Sequence, residues 1–157
     1  MRWSPLLAAF LLTACASGGN DLPDSPAGGF DAPVTVTFEG APAIRAEVAR
    51  RSDQRQRGLM QRTSLKEGEG MIFLFPRQVS VGFWMKGTLI PLSIAYVDGD
   101  RVVSTSEMVP CTKDPCATYP PVAPYTAAVE APAGFFPKYH VIAGTRMTLT
   151  GATNAPE

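Results

Sequence analysis

The chain has 157 residues, and 45% of them are hydrophobic, enough to bury the core of one domain of ordinary size. Fourteen basic residues balance fourteen acidic ones, which argues against a nucleic-acid binder and against a polybasic clamp on a membrane surface. Pro 15 and Gly 14 punctuate the sequence too often for a helical bundle.

The first residues read as an address. Arg2 precedes the uncharged run Pro5–Ala14. As a helix that run rises only about 15 Å, half of a bilayer core, so it is too short to span and fits a signal-peptide core instead. Leu12-Thr13-Ala14-Cys15 resembles the bacterial lipobox, whose small residues admit the peptidase and whose cysteine thiol takes the lipid. Residues 1–14 are therefore expected to be a lipoprotein signal peptide, with Cys15 as the lipidation site. Each buried methylene contributes about 0.8 kcal/mol, so two or three acyl chains anchor the protein stably. Ala16 after the cysteine resembles the signal for transfer to an outer membrane, where the host has one. The expected location is the cell envelope, facing the periplasm.

Residues 15–32 are rich in Gly, Pro, Ser, Asn and Asp and read as a flexible tether. Residues 33–151 read as the folded domain, and 152–157 as a short tail. Val34–Phe38 alternates with period two and is β-branched, which predicts a strand. Ile44, Ala46 and Val48 alternate with Arg45, Glu47 and Ala49 and predict a second. Ser52 or Asp53 is expected to cap a short helix through Arg57, ended by Gly58. Met71–Phe75 is apolar throughout and bounded by Gly70 and Pro76, as a strand buried on both faces would be. Phe83–Met85 and Ile90–Val97 read as further strands, and Asp98-Gly99 before Arg101-Val102-Val103 marks a hairpin. Five prolines between Val109 and Pro124 make that stretch an irregular loop. Thr126–Ala131 and Arg146–Thr150 complete seven or eight strands. The expected fold is mainly β: a single antiparallel sandwich, jelly-roll-like, with one or two short helices.

Cys111 and Cys116 are an even pair in an exported chain and read first as a structural disulfide, then as free thiols or a metal or redox pair. A zinc site would need two more soft ligands, and His140 is the single histidine. No Gly-x-Ser-x-Gly elbow accompanies that histidine, and no phosphate-cradling loop is present. Methionines 60, 71, 85, 108 and 147 are read as core fillers before copper ligands. No metal or cofactor is expected.

The segment Trp84-Met85-Lys86-Gly87-Thr88 carries the sharpest functional signal. On a strand, Phe83 and Met85 share one face while Trp84 and Lys86 share the other. A lysine beside a tryptophan suits an anionic or glycan-like ligand, by charge and by stacking. The competing reading packs Trp84 in the core and pairs Lys86 with Glu130 or with solvent. The candidate ligand-binding set is Trp84, Lys86, Thr88, Arg57 and Met60. Arg50, Arg51, Arg55, Arg57 and Arg62 form a basic cluster, read as a solvated face before an anion site.

Three phrases then stand together: Arg57-Gly58-Leu59-Met60-Gln61-Arg62, Gly70–Phe75 and Phe83-Trp84-Met85-Lys86-Gly87-Thr88-Leu89-Ile90-Pro91-Leu92. With Tyr125–Glu130, Ala133-Gly134 and Gly144, they resemble the domain of unknown function 192 (DUF192) family over about Ile44–Leu149. The resemblance implies a compact β sandwich, often secreted or lipid-anchored, and no established biochemical activity. Gly87 stands where that family usually has Asn, and Ser93 where it often has Asp. The expected role is a non-catalytic binding module for a small anionic or glycan-like envelope component. The alternatives are an accessory lipoprotein that docks another envelope protein, or an enzyme.

Overall fold

A computed structural model describes residues 29–151, so the signal segment, Cys15, most of the tether and the tail lie outside the described residues. In chain order the elements are β1 (Asp31–Phe38), β2 (Ile44–Ala49), α1 (Ser52–Arg57), β3 (Glu69–Val79), β4 (Phe83–Trp84), β5 (Leu92–Asp98) and β6 (Arg101–Met108). They continue with β7 (Thr118–Tyr119), β8 (Tyr125–Pro132), α2 (Phe135–Lys138) and β9 (Met147–Thr150). The mainly β expectation holds.

Seven strands form one sheet in the order β6-β5-β8-β3-β2-β1-β9, and β4 pairs with β7 as a separate two-stranded ribbon. One pair departs from the expected antiparallel pattern: β2 and β3 run parallel, Arg45 facing Glu69 and Ala49 facing Phe73. A tight turn cannot join parallel strands, and α1 with the loop after it supplies the crossover. The sheet curls until its ends meet, with an antiparallel bridge between Arg101 and Arg146. Three backbone hydrogen bonds hold this seam: Val102 to Thr145 O, Gly144 to Val102 O and Met147 to Asp100 O.

Curling divides the apolar side chains into two cores. Inside the curl lie Val34, Val36, Phe38, Ile44, Ala46, Val48, Ile72, Ala95, Val97, Val129 and Ala131, with Phe135 and Phe136 of α2 packed among them. On the outer face of β3, β5 and β8 lie Met71, Phe73, Ile94, Tyr96, Ala128 and Tyr125, joined by Leu59, Met85 and Met108. Strands with a core on each side bury both alternating sets. That is why Met71-Ile72-Phe73 carries no polar alternation. Each large side chain so buried contributes about 1.5–3 kcal/mol.

Local signals act as the sequence predicts, with small shifts. The N-cap of α1 is Arg51, one residue before the expected Ser52 or Asp53: Gln54 is fully buried, and its Oε1 accepts the backbone N–H groups of Arg50 and Arg51. Gly58 ends the helix at φ 46°, close against the ring of Phe73. β3 runs on past Pro76 because the ladder with β8 shifts register between Leu74 and Val79. A proline there removes no ladder hydrogen bond.

Candidate functional site

The outer core is roofed by residues 58–68 and 80–90, together with the loop that carries β7. Within it Phe83 and Met85 point inward. The Phe83 ring stands edge-on to Phe73 at 4.8 Å and to Tyr96 at 5.9 Å, and Met85 is buried. Two tyrosines tie the roof to the sheet. The Tyr96 hydroxyl donates to Tyr119 O of β7, and the Tyr125 hydroxyl donates to Val81 O at 2.8 Å. Burial pushes both phenols well above the ordinary tyrosine range.

Period two therefore sends Trp84 and Lys86 outward. Trp84 keeps 50% of its surface exposed, which overturns the reading that packs it in the core. Lys86 Nζ lies 5.9 Å from the Trp84 ring centroid and donates to Asp114 Oδ2 at 3.1 Å. Asp114 comes from the loop closed by the disulfide between Cys111 and Cys116, whose Cα atoms are 5.5 Å apart. Sulfurs joined to each other leave the nearby Asp114 as the remaining ligand of that trio, so a resident metal finds no thiolate pair there. Lys86 and Glu130 are not partners. Glu130 sits on β8 between Met71 and Ile94, only 5% exposed, and burial pushes its carboxyl up to about 8.

The remaining candidates part company. Thr88 is buried, its N–H donating to Met85 O as the chain turns back. Met60 adjoins that turn: a side chain at position 87 would meet its Cγ and Sδ at 3.5 Å. Gly87 O accepts from both the backbone N–H and the Nε2 of Gln61, so two of the family-like phrases meet here. Arg57 turns instead onto the Phe30 ring, 4.6 Å from its centroid. Trp84 and Lys86 thus form one exposed surface, with Met60 behind it.

The basic cluster is spent inside the molecule. Arg50 and Arg51 pair with Asp31, and Arg62 holds Glu47 with both oxygens 2.5–2.6 Å away. Arg55 donates to the carbonyls of Arg50 and Leu74. Few of these arginines are left for an external anion, which corrects the picture of a solvated face. His140 is exposed, with φ 55°, and among the described residues no serine or cysteine bonds its ring.

Both departures from the family pattern have a physical account. Gly87 has φ +70°, a left-handed conformation that glycine and asparagine both tolerate. The fully buried Ser93 donates to Glu107 Oε1 at 2.5 Å, while Glu107 Oε2 accepts the Gly134 N–H. A carboxylate from the neighbouring strand thereby serves beside position 93.

Comparison with known proteins agrees with this architecture. A crystal structure of a protein of unknown function from Novosphingobium aromaticivorans is 35% identical, with a TM-score of 0.66 over 74% of this chain and 83% of that one. A crystal structure described as a putative transcription regulator from Sinorhizobium meliloti is 24% identical and shares the fold, with a TM-score of 0.70 over 77% and 95%. No curated protein matches the chain. The family model described as uncharacterised ACR matches residues 34–149, and the chain belongs to that family, DUF192.

Proposed function

We propose that the protein is a lipid-anchored domain of the cell envelope, exported through residues 1–14 and held by lipid on Cys15, that binds a glycan-like envelope component without chemistry of its own. The observation that carries the binding reading is the half-exposed Trp84 indole with the Lys86–Asp114 pair at its rim. An exposed aromatic face stacks on the apolar face of a sugar ring, and an ammonium and a carboxylate beside it supply a donor and an acceptor for hydroxyls. Because Asp114 already balances Lys86, a small free anion would have to displace it. A neutral glycan can use both groups. The disulfide supports export, since such bonds persist in oxidising compartments.

A second reading rests on different side chains. Val81, Leu89, Val109 and Val122 are exposed on the segments around Trp84, and such a patch suits docking to another envelope protein.

Trp84 is the one tryptophan after Trp3, so its fluorescence reports this surface alone. Titrating the chain from residue 16 onward with soluble oligosaccharides of the envelope should give a saturable change. Lys86→Met and Asp114→Asn should each weaken it at least fivefold. Both groups are exposed, so melting curves should move by less than about 1 kcal/mol. A flat titration with the fold intact would reject the glycan reading. Mass spectrometry of envelope-extracted protein should find an acylated Cys15 at the N-terminus, and a cytosolic chain beginning at unmodified Met1 would reject the anchor.

A further inference from the structure

At the seam where the curled sheet closes, an open groove of about 500 Å³ is lined by Thr37, Glu39, Arg101, Arg146 and Thr148. We propose that this groove is a second binding site, independent of the Trp84 surface, which takes a phosphorylated saccharide: phosphate on the two arginines, sugar hydroxyls on Glu39 and the threonines.

Strand pairing is the first reason. Arg101 and Arg146 are direct cross-strand partners in the bridge that joins β6 to β9, and like charges placed opposite each other are destabilising. A fold gains nothing from that placement unless an anion sits between them. Asp100 does so only in part. Its carboxylate lies 3.7 Å from Arg101 Nε and 3.3 Å from Arg146 Nε, one oxygen nearest each. In the Arg62–Glu47 pair, by contrast, the single nitrogen Nη2 reaches both carboxylate oxygens at 2.5 and 2.6 Å.

Accessible donors are the second reason. Arg101 Nη1 donates to Gly144 O. Among the described residues no protein group bonds Arg101 Nη2 or the two terminal nitrogens of Arg146, and both side chains are about half-exposed, so these donors face solvent and are open to a ligand. The Asp100 carboxylate lies nearest Nε of each arginine. Donors at the terminal nitrogens of two separate guanidinium groups suit a tetrahedral oxyanion, which offers acceptors in several directions.

The polar lining is the third. Thr37 and Thr148 are cross-strand partners of β1 and β9, and Glu39 follows β1, its N–H bound to Arg146 O. The Glu39 carboxylate would repel a bare polyanion, while it and the hydroxyls suit a sugar, and the volume leaves room for a ring beside the phosphate. Backbone bonds at the seam fix the main chain from which these side chains project.

The test is an NMR titration of the full-length chain in detergent with glucose 6-phosphate, glucose, inorganic phosphate and vesicles of phosphatidylglycerol. Glucose 6-phosphate should shift the amides of Thr37, Glu39, Arg101, Arg146 and Thr148. Glucose alone and phosphate alone should each bind at least fivefold more weakly. Arg146→Gln and Arg101→Gln should each raise the dissociation constant at least tenfold with the rest of the spectrum unchanged, while Trp84→Ala leaves it unaltered. Equal binding of inorganic phosphate, or shifts at the seam with vesicles alone, would overturn the saccharide assignment. Absence of seam shifts, or shifts that survive both arginine substitutions, would overturn the site.

Discussion

Glu130 shows how far a single side chain can escape a sequence reading. Its position in Ala127-Ala128-Val129-Glu130-Ala131 places it on the face of Ala128, but nothing local says that Met71 and Ile94 flank it. Its low exposure makes a carboxylate costly there, and burial moves its pKa from an ordinary 4.5 to about 8. Between those values the folded protein holds a proton that the unfolded chain has released. The stability linked to Glu130 is therefore fully present below about pH 4.5 and is lost as the pH rises through about 8. Glu130→Gln should remove that dependence. Denaturant titrations at pH 5 and pH 8.5 should show wild type losing stability relative to the variant by on the order of a few kcal/mol. Parallel pH curves for the two proteins would mean that Glu130 is charged in the fold. By contrast, that Trp84 and Lys86 share a face was legible, because period two needs no knowledge of partners, but which way that face points was not. The partner of Lys86 was not. Asp114 is 28 residues away, and only the disulfide loop brings it there.

Among elements, those with a strong local pattern were readable and those defined by a neighbour were not. β1, β2, the centre of β3 and the β5–β6 hairpin carry alternation, an apolar run or Asp98-Gly99, and each appears where expected. β7 is two residues in a proline-rich loop, too short for any period, and exists because Trp84 and Phe83 face Thr118 and Tyr119. The parallel register of β2 and β3 is invisible for the same reason, since it follows from the crossover. α2 is four residues with a proline among aromatic side chains, too short to carry a helical period, and the curl gives Phe135 and Phe136 a core. The β4–β7 ribbon is too small to stand alone and depends on what ties it to the sheet. The Tyr125 hydroxyl on Val81 O is one such tie. Tyr125→Phe leaves the ring, which packs at 4.9 Å from Tyr96, and removes the hydrogen bond. It should cost about 1 kcal/mol. Amide exchange should speed up around Val81–Trp84 and Thr118–Tyr119 and stay unchanged in β1 and β2. Faster exchange throughout would assign Tyr125 to global stability alone.

At the scale of the molecule, one sheet serves two cores, and this governs how the protein should fail. β3, β5 and β8 present Ile72, Ala95 and Val129 to the inside and Met71, Ile94 and Ala128 to the outside. Neither core can be lost without exposing the back of the other. Closure was not legible in the sequence, because the seam residues Asp100, Arg101 and Arg146 are charged and look like ordinary surface. Phe136 tests the coupling. It is fully buried inside the curl, edge-on to Phe38 at 5.3 Å and to Phe135 at 5.5 Å, and belongs to the inner core and not to the outer one beneath Trp84. Phe136→Ala removes a large side chain from a site that closed backbone pairing keeps from collapsing, so it should cost about 3–5 kcal/mol. Because the sheet is shared, that loss should reach the far side. Unfolding followed by far-UV circular dichroism, which sees the sheet, and by Trp84 fluorescence, which sees the roof, should shift together and stay superimposed in wild type and variant. If the fluorescence transition instead holds its midpoint while the dichroism transition moves, the roof and outer core unfold as their own unit, and the shared sheet does not bind the two cores into one.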